Sequence, residues 1–252
     1  MRISVITINF NNKEGIQKTI DSVLYQTCRD FEWIIIDGGS TDGSRKVIEQ
    51  NAQHFTYWCS EPDKGIYNAM NKGIRQATGE YCLFLNSGDC LNGDCLKDIM
   101  PQLKEDVIVG RVKSAEDGAL SYQYKDSTFS LAQLYSYSFP HQASFIKRDL
   151  FIKHGFYDES YKILSDWKFF LQLLLKERVQ LNFIPDVVSV IDYNGISKTN
   201  KDLFATETQR LRNEVIPSYL IRDLDNSSSL RDLFGHKMGK KLYSVLYRLF
   251  TP

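Results

Sequence analysis

Four times in its first hundred residues, the chain sets a short, nearly unbroken apolar run ahead of a segment with helical spacing or a cluster of turn residues. The runs are Ile3 to Ile8, Phe31 to Ile36, Phe55 to Cys59 and Tyr81 to Leu85. A strand that is apolar at nearly every position, rather than at alternate ones, must be covered on both faces. Between the runs, Ile16, Ile20, Val23 and Leu24 recur on one helical face, Val47 and Ile48 mark a second helix, and Ile66, Met70, Ile74 and Ala77 a third. Ser40, Thr41 or Asp42 is placed to cap the second helix, and Gly79 to stop the third. This order predicts an α/β fold: a mostly parallel, doubly wound, Rossmann-like sheet with helices on both faces.

Beyond residue 100 the rhythm changes. Val107 to Val112 and Leu120 to Tyr124 read as short antiparallel strands, Leu131 to Tyr137 and Ser165 to Lys176 as helices, and Val187 to Asp192 as a strand. From about Asn200 the chain turns polar and helical, with Asn226 to Ser229 as a linker. The expected organisation is one domain over 1–200, made of two halves, 1–100 and 101–200, and a helical extension over 201–252.

Composition narrows the function classes. With 42% hydrophobic residues in 252, the chain can bury a substantial core. Its 31 basic and 31 acidic side chains cancel, so net charge gives no push toward nucleic acid. Cys28, Cys59, Cys82, Cys90 and Cys95 include no Cys-x-x-Cys, and no histidine lies near Cys90 and Cys95, which favours reduced thiols in a cytoplasmic protein over disulfides or zinc. No apolar run approaches the ~20 residues that span a bilayer, and the first run lacks the features of a signal peptide.

In an open parallel sheet, ligands bind beyond the carboxyl ends of the strands. Thr7, Asn9, Phe10 and Asn11 stand at the end of the first run, and Asp37 with two glycines at the end of the second. Ser60-Glu61-Pro62-Asp63-Lys64-Gly65 follows the third run and Asn86-Ser87-Gly88-Asp89 the fourth. Each cluster alone is ordinary turn chemistry; four on one edge point to a polar, acidic binding rim. No Gly-x-Gly-x-x-Gly follows the first run and no Gly-Lys-Ser/Thr loop is present, which counts against dinucleotide and P-loop sites.

Three segments, Ile3 to Ser44, Asp63 to Asp89 and His154 to Leu173, together resemble the inverting glycosyltransferase family 2, which has the GT-A fold. The resemblance implies transfer of a sugar from a nucleotide-diphosphate sugar to a glycan or lipid-linked saccharide in surface polysaccharide biosynthesis. It implies a Mn2+ or Mg2+ ion that neutralises the departing diphosphate, held by Asp89, the only carboxylate left where the family has an Asp-x-Asp-like segment. It sets Asp37 in the nucleoside pocket with Thr7, Asn9, Asn11 and Asp63, although Gly38 stands where the family's second acid is usual. Lys64, Asn86 and His141 join the nucleotide-sugar set, while Lys72 and Arg75 read better as solvated helix residues. Asp166, in Leu164-Ser165-Asp166-Trp167, matches the family's catalytic base. A capping Ser165 would put that base in the first helical turn, where the dipole favours its ionised form. Trp167 reads as a core residue ahead of a sugar platform.

The reduced metal motif also motivates a second reading, a catalytically weak or inactive nucleotide-sugar binder of the same fold. At the far end, His236 to Phe250 interleaves Lys237, Lys240, Lys241 and Arg248 with Leu242, Val245, Leu246, Leu249 and Phe250. Such a basic amphipathic helix suits peripheral contact with the inner face of the cytoplasmic membrane, or packing on the catalytic domain or a homodimer mate.

Overall fold

The computed structural model describes residues 2–120, 131–176, 179–191 and 199–225. Past Leu120, the expected strand to Tyr124 lies outside them, as do the Asn226 to Ser229 linker and the basic stretch His236 to Phe250.

All four apolar runs become strands: β1 (Ile3–Asn9), β2 (Phe31–Asp37), β3 (Tyr57–Ser60) and β4 (Tyr81–Phe84). They lie parallel in the order β3-β2-β1-β4. The sheet continues with β5 (Cys90–Leu91), β6 (Val107–Ser114), β7 (Ser144–Lys147) and β8 (Leu181–Ile191). The full order is β3-β2-β1-β4-β7-β6-β8-β5. β7 runs antiparallel to both β4 and β6, β6 and β8 pair parallel, and β5 is antiparallel to β8. The sheet is thus more mixed than the sequence rhythm implied. The pairings of β4 with β7 and of β5 with β8 join the two halves of the chain in one sheet.

Burial on both faces explains the unbroken runs of β1, β2 and β4, whereas β3, at the sheet edge, has no buried residue. Ile6, Ile8, Ile34, Ile36 and Phe84 point to one side, toward α3 (Ile66–Gln76), α5 (Leu131–Ser136), α6 (Arg148–His154), α7 (Ser165–Lys176) and α8 (Lys201–Val215). Ile3, Val5, Trp33, Ile35 and Leu83 point to the other, toward α1 (Lys13–Leu24), α2 (Ser44–Gln50) and α4 (Leu96–Ile99). The period of two along a strand assigns each neighbour to the opposite core.

Two expected helix ends differ in detail. Gly43, with φ 98°, is the residue that opens α2, and the Asp42 carboxylate accepts the amide and hydroxyl of Ser44 just inside it. α3 ends at Ala77 in an extended conformation, two residues before Gly79. Gly79 is required for a different reason: a Cβ there would lie 2.8 Å from backbone atoms of Ile3 and Ser4.

Candidate active site

The ends of β1, β2 and β3 stand side by side, with Asn9 opposite Asp37 and Asp37 opposite Ser60. Asp37 is fully buried and accepts four hydrogen bonds. Oδ1 receives the Asn9 amide at 2.6 Å and the Ser40 hydroxyl at 2.6 Å; Oδ2 receives the Ser40 backbone amide at 3.0 Å and the Ser60 hydroxyl at 2.6 Å. Burial alone would raise its pKa, but the donors from Ser40, Ser60 and Asn9 outweigh burial and hold the carboxyl below its ordinary range. Four bonds fill the acceptor capacity of a carboxylate. Asp37, expected to meet the nucleoside, is therefore the hub that fixes three strand-end loops.

Around that hub, Asn11 accepts from the Thr41 amide through Oδ1 and donates its own amide to Ser40, pinning the β1–α1 loop to the β2–α2 loop. Thr7 is corrected by the pleat. It falls on the same face as Ile3 and Val5, has no exposed surface, and its hydroxyl accepts from the Trp33 indole at 3.1 Å. It supports the pocket from beneath rather than lining it.

Above the hub the surface opens. Phe10, which sequence reasoning left without a role, is 64% exposed. A Cβ on Gly38 would meet Asp63 Oδ2 at 2.5 Å and the Phe10 ring at 3.1 Å. The absence of a side chain at 38 thus makes room for the Asp63 carboxylate, which stands in the space a second acid would occupy. Asp63 Oδ1 is engaged by the Gly65 amide, and Lys64 is exposed at the same turn. Lys72 pairs with Glu61 at 2.7 Å, and Arg75 lies over the Phe156 ring, in keeping with their reading as surface helix residues.

The fourth rim segment joins the catalytic candidates. Asn86 Nδ2 is 3.1 Å from His141 Nε2, and His141 Nδ1 is 3.1 Å from Asp166 Oδ2. With the Asn86 amino group toward Nε2, that nitrogen accepts and the Nδ1 proton points at Asp166. Tyr67, buried on α3, donates to Asp166 Oδ1 at 2.8 Å and also meets the Ile163 carbonyl. Burial, with the Asp166 charge beside it, pushes the Tyr67 hydroxyl well above its usual pKa, so it is a neutral donor. Asp166 itself is 8% exposed in the first turn of α7. Asp89 is 7% exposed at the end of the same 86–89 turn, whose Ser87 carbonyl accepts from Asn12. The structure therefore unites Asn86, His141 and Asp166, which lie 80 residues apart in the chain, and adds Tyr67, whose apolar helical spacing gave no sign of this task.

A family model described as "Glycosyl transferase family 2" matches residues 4–164. The chain belongs to glycosyltransferase family 2. The transferase is 37% identical over 184 residues to an uncharacterized glycosyltransferase of Mycobacterium tuberculosis, covering 69% of each chain. It is 30% identical over 209 residues to a PGL/p-HBAD biosynthesis glycosyltransferase of Mycobacterium bovis, covering 79% of this chain and 80% of that one. Among solved structures, Staphylococcus aureus TarS (residues 1–349) superposes with a TM-score of 0.66 at 20% identity. That match covers 76% of this chain and 60% of TarS 1–349, so the transferase spans about three fifths of that neighbour's length. A mannosyltransferase from Pyrobaculum calidifontis, solved with GDP-Man and Mn2+, superposes with a TM-score of 0.58 at 16% identity, covering 98% of this chain and 80% of that one. The fold is GT-A.

Two further features of the transferase fit this frame. No group of three or more histidine, cysteine or acidic side chains gathers among the described residues, so no all-protein metal cage is built. A single Asp89 carboxylate, with the buried and unpartnered Asn86 Oδ1 on the same turn, suits a magnesium or manganese ion that takes its other oxygens from phosphate and water. Trp167 is 2% exposed and donates its indole N–H to the Leu134 carbonyl, which makes it a core residue. Ser165 does not act as a cap, because its buried hydroxyl has no hydrogen-bond partner among the described residues.

Proposed function

We propose that this glycosyltransferase moves a sugar, with inversion, from a nucleotide-diphosphate sugar to a saccharide or lipid-linked saccharide acceptor, with Asp166 as the base. The observation that carries this reading is the Asp166 carboxylate, oriented by Tyr67 on one oxygen and His141 on the other. The acceptor hydroxyl attacks the anomeric carbon on the face opposite the diphosphate; that carbon–oxygen bond forms as the sugar–phosphate bond breaks, and the hydroxyl proton passes to Asp166. These two donors hold the carboxylate in one rotamer and leave lone pairs for the incoming proton. Asp89 would hold a divalent ion, which supplies positive charge to the leaving diphosphate when bound.

At the other end of the crevice, the exposed Phe10 ring offers a stacking face for a base, with Asn9 and Asn11 beside it and the Asp63 carboxylate as an acceptor. Relatives in mycobacterial glycolipid biosynthesis support a glycan or glycolipid acceptor, as does the basic stretch His236 to Phe250, suited to an anionic membrane where such acceptors reside. Screening UDP-, GDP- and dTDP-sugars for thermal stabilisation with Mn2+ identifies the donor. With that donor, Asp166→Asn abolishes transfer and leaves donor binding nearly intact; retained transfer removes Asp166 from the mechanism.

A further inference from the structure

The carboxylate of Glu207 is a buried acid that takes all three of its hydrogen bonds from backbone amides. It lies on α8, beyond the region matched by the family model, and is 5% exposed. Oε1 accepts the Lys162 backbone amide at 2.6 Å, and Oε2 accepts those of Ile163 at 2.9 Å and Leu164 at 3.0 Å. Three successive amides thus converge on one buried charge, each bond stronger than its neutral counterpart. This run leads directly into α7, whose second residue is Asp166. Its opposite edge also meets Tyr67, whose one hydroxyl proton is shared between the Ile163 carbonyl and Asp166 Oδ1.

The rest of α8 grips the same loop. Arg210 donates to the Ser160 hydroxyl and carbonyl and lies over the Tyr161 ring. Glu214 accepts from Lys168 on α7 and from the Tyr161 hydroxyl. These contacts hold the loop to α8, but Glu207 alone among them bonds the backbone immediately before the base.

We infer that Glu207 is a positioning residue: from the C-terminal helix it fixes the 162–164 backbone, and through that run and Tyr67 it sets where the Asp166 carboxylate stands against His141. The inference rests on Asp166 being the base for its functional meaning, but its geometric content stands apart from that reading. A side chain that only stabilised the fold would loosen the whole α8 contact when altered; a positioning residue moves one carboxylate relative to one imidazole.

The test follows the His141 ring by NMR in the full-length protein, with the cross-peak assigned through His141→Gln. In Glu207→Gln, the His141 ring signals shift while those of His54 and His154 stay in place. The amides of Lys162, Ile163 and Leu164 also exchange with solvent roughly tenfold faster, the factor that one lost hydrogen bond is worth. Glu207→Asp keeps the charge but draws it back by one methylene, and gives an intermediate shift. Glu214→Gln, which cuts the grip about two turns further along the same helix, leaves the His141 signals near those of the wild type. Unmoved His141 signals in folded Glu207→Gln, or equal shifts in Glu214→Gln, overturn the proposal. If Glu207→Gln does not fold, Glu207→Asp and wild-type exchange decide: rapid exchange of the three amides in the wild type overturns it as well. Transfer retained by Asp166→Asn would remove the base reading while leaving these signals unchanged, so the two failures are distinguishable.

Discussion

Replacing Asp37 with asparagine keeps the shape of the side chain and changes the chemistry of one atom. Each oxygen of Asp37 faces one hydroxyl, which can turn to accept, and one N–H, which cannot: Asn9 Nδ2 and Ser40 Oγ on Oδ1, the Ser40 backbone amide and Ser60 Oγ on Oδ2. Whichever way the new amide points, its NH2 confronts an N–H in a fully buried site. Stranding that donor costs about 1–3 kcal/mol, and the bonds that remain lose their charge assistance, for a total of about 2–4 kcal/mol. With a urea m-value of about 2–3 kcal/mol/M, the unfolding midpoint falls by roughly 1 M. Equilibrium urea unfolding followed by tryptophan fluorescence measures this, and calorimetry measures nucleoside diphosphate affinity on the same samples. An unchanged midpoint with a collapse of affinity would refute the reasoning, because Asp37 would then be contacting the ligand rather than binding the loops together.

Other expectations follow from the same geometry. Gly73→Ala places a Cβ 2.3 Å from Ile6 Cγ2, an overpacking worth about 1–3 kcal/mol against a gain in helix propensity of up to about 1 kcal/mol. A net loss in urea midpoint is expected, and a stabilised variant would show that α3 does not press on β1 as described. Glu214 is held down at about 2 from the usual 4.5 by hydrogen bonds from Lys168 and Arg210, and Asp158 at about 2, where bonds from Lys168 and Ser160 overcome its burial. Depressed carboxyls contribute stability that is fully present above their unfolded values and lost as pH falls toward about 2. The Tm gap between wild type and Glu214→Gln should therefore close between about pH 4.5 and 2; a gap independent of pH contradicts the pairing. Asp89→Ala should lose Mn2+-dependent thermal stabilisation by the identified donor, whereas stabilisation equal to wild type removes Asp89 as the metal ligand.

The local order of the chain carried much of the fold. Helix α7 spans Ser165 to Lys176 as its spacing predicts, and β1, β2 and β4 arise where both-face burial demands them, whereas β3 is a sheet-edge strand with no buried residue. Short elements that depend on partners were not legible. β5 is two residues long, and β7 pairs antiparallel between β4 and β6; neither has a period long enough to stand out. Phe10 did leave a signal, a bulky aromatic directly after a strand end among polar residues, whereas Tyr67 and Glu207 left none because their roles depend on groups about 100 and 40 residues away.

The sequence by itself determined the alternation of buried strands and helices, the rim on which polar groups gather, and the family to which they belong. The first two follow from periodicity and turn chemistry, which act over a few residues; the family follows from the resemblance carried by Ile3 to Ser44, Asp63 to Asp89 and His154 to Leu173. Only the tertiary structure decided which oxygens remain open to a ligand. Asp37 is saturated by Asn9, Ser40 and Ser60, Asp63 takes the space above Gly38, and Asp166 is held between Tyr67 and His141. A carboxylate's role depends on how many donors reach it and from which directions, and that count is set by contacts between segments far apart in the chain.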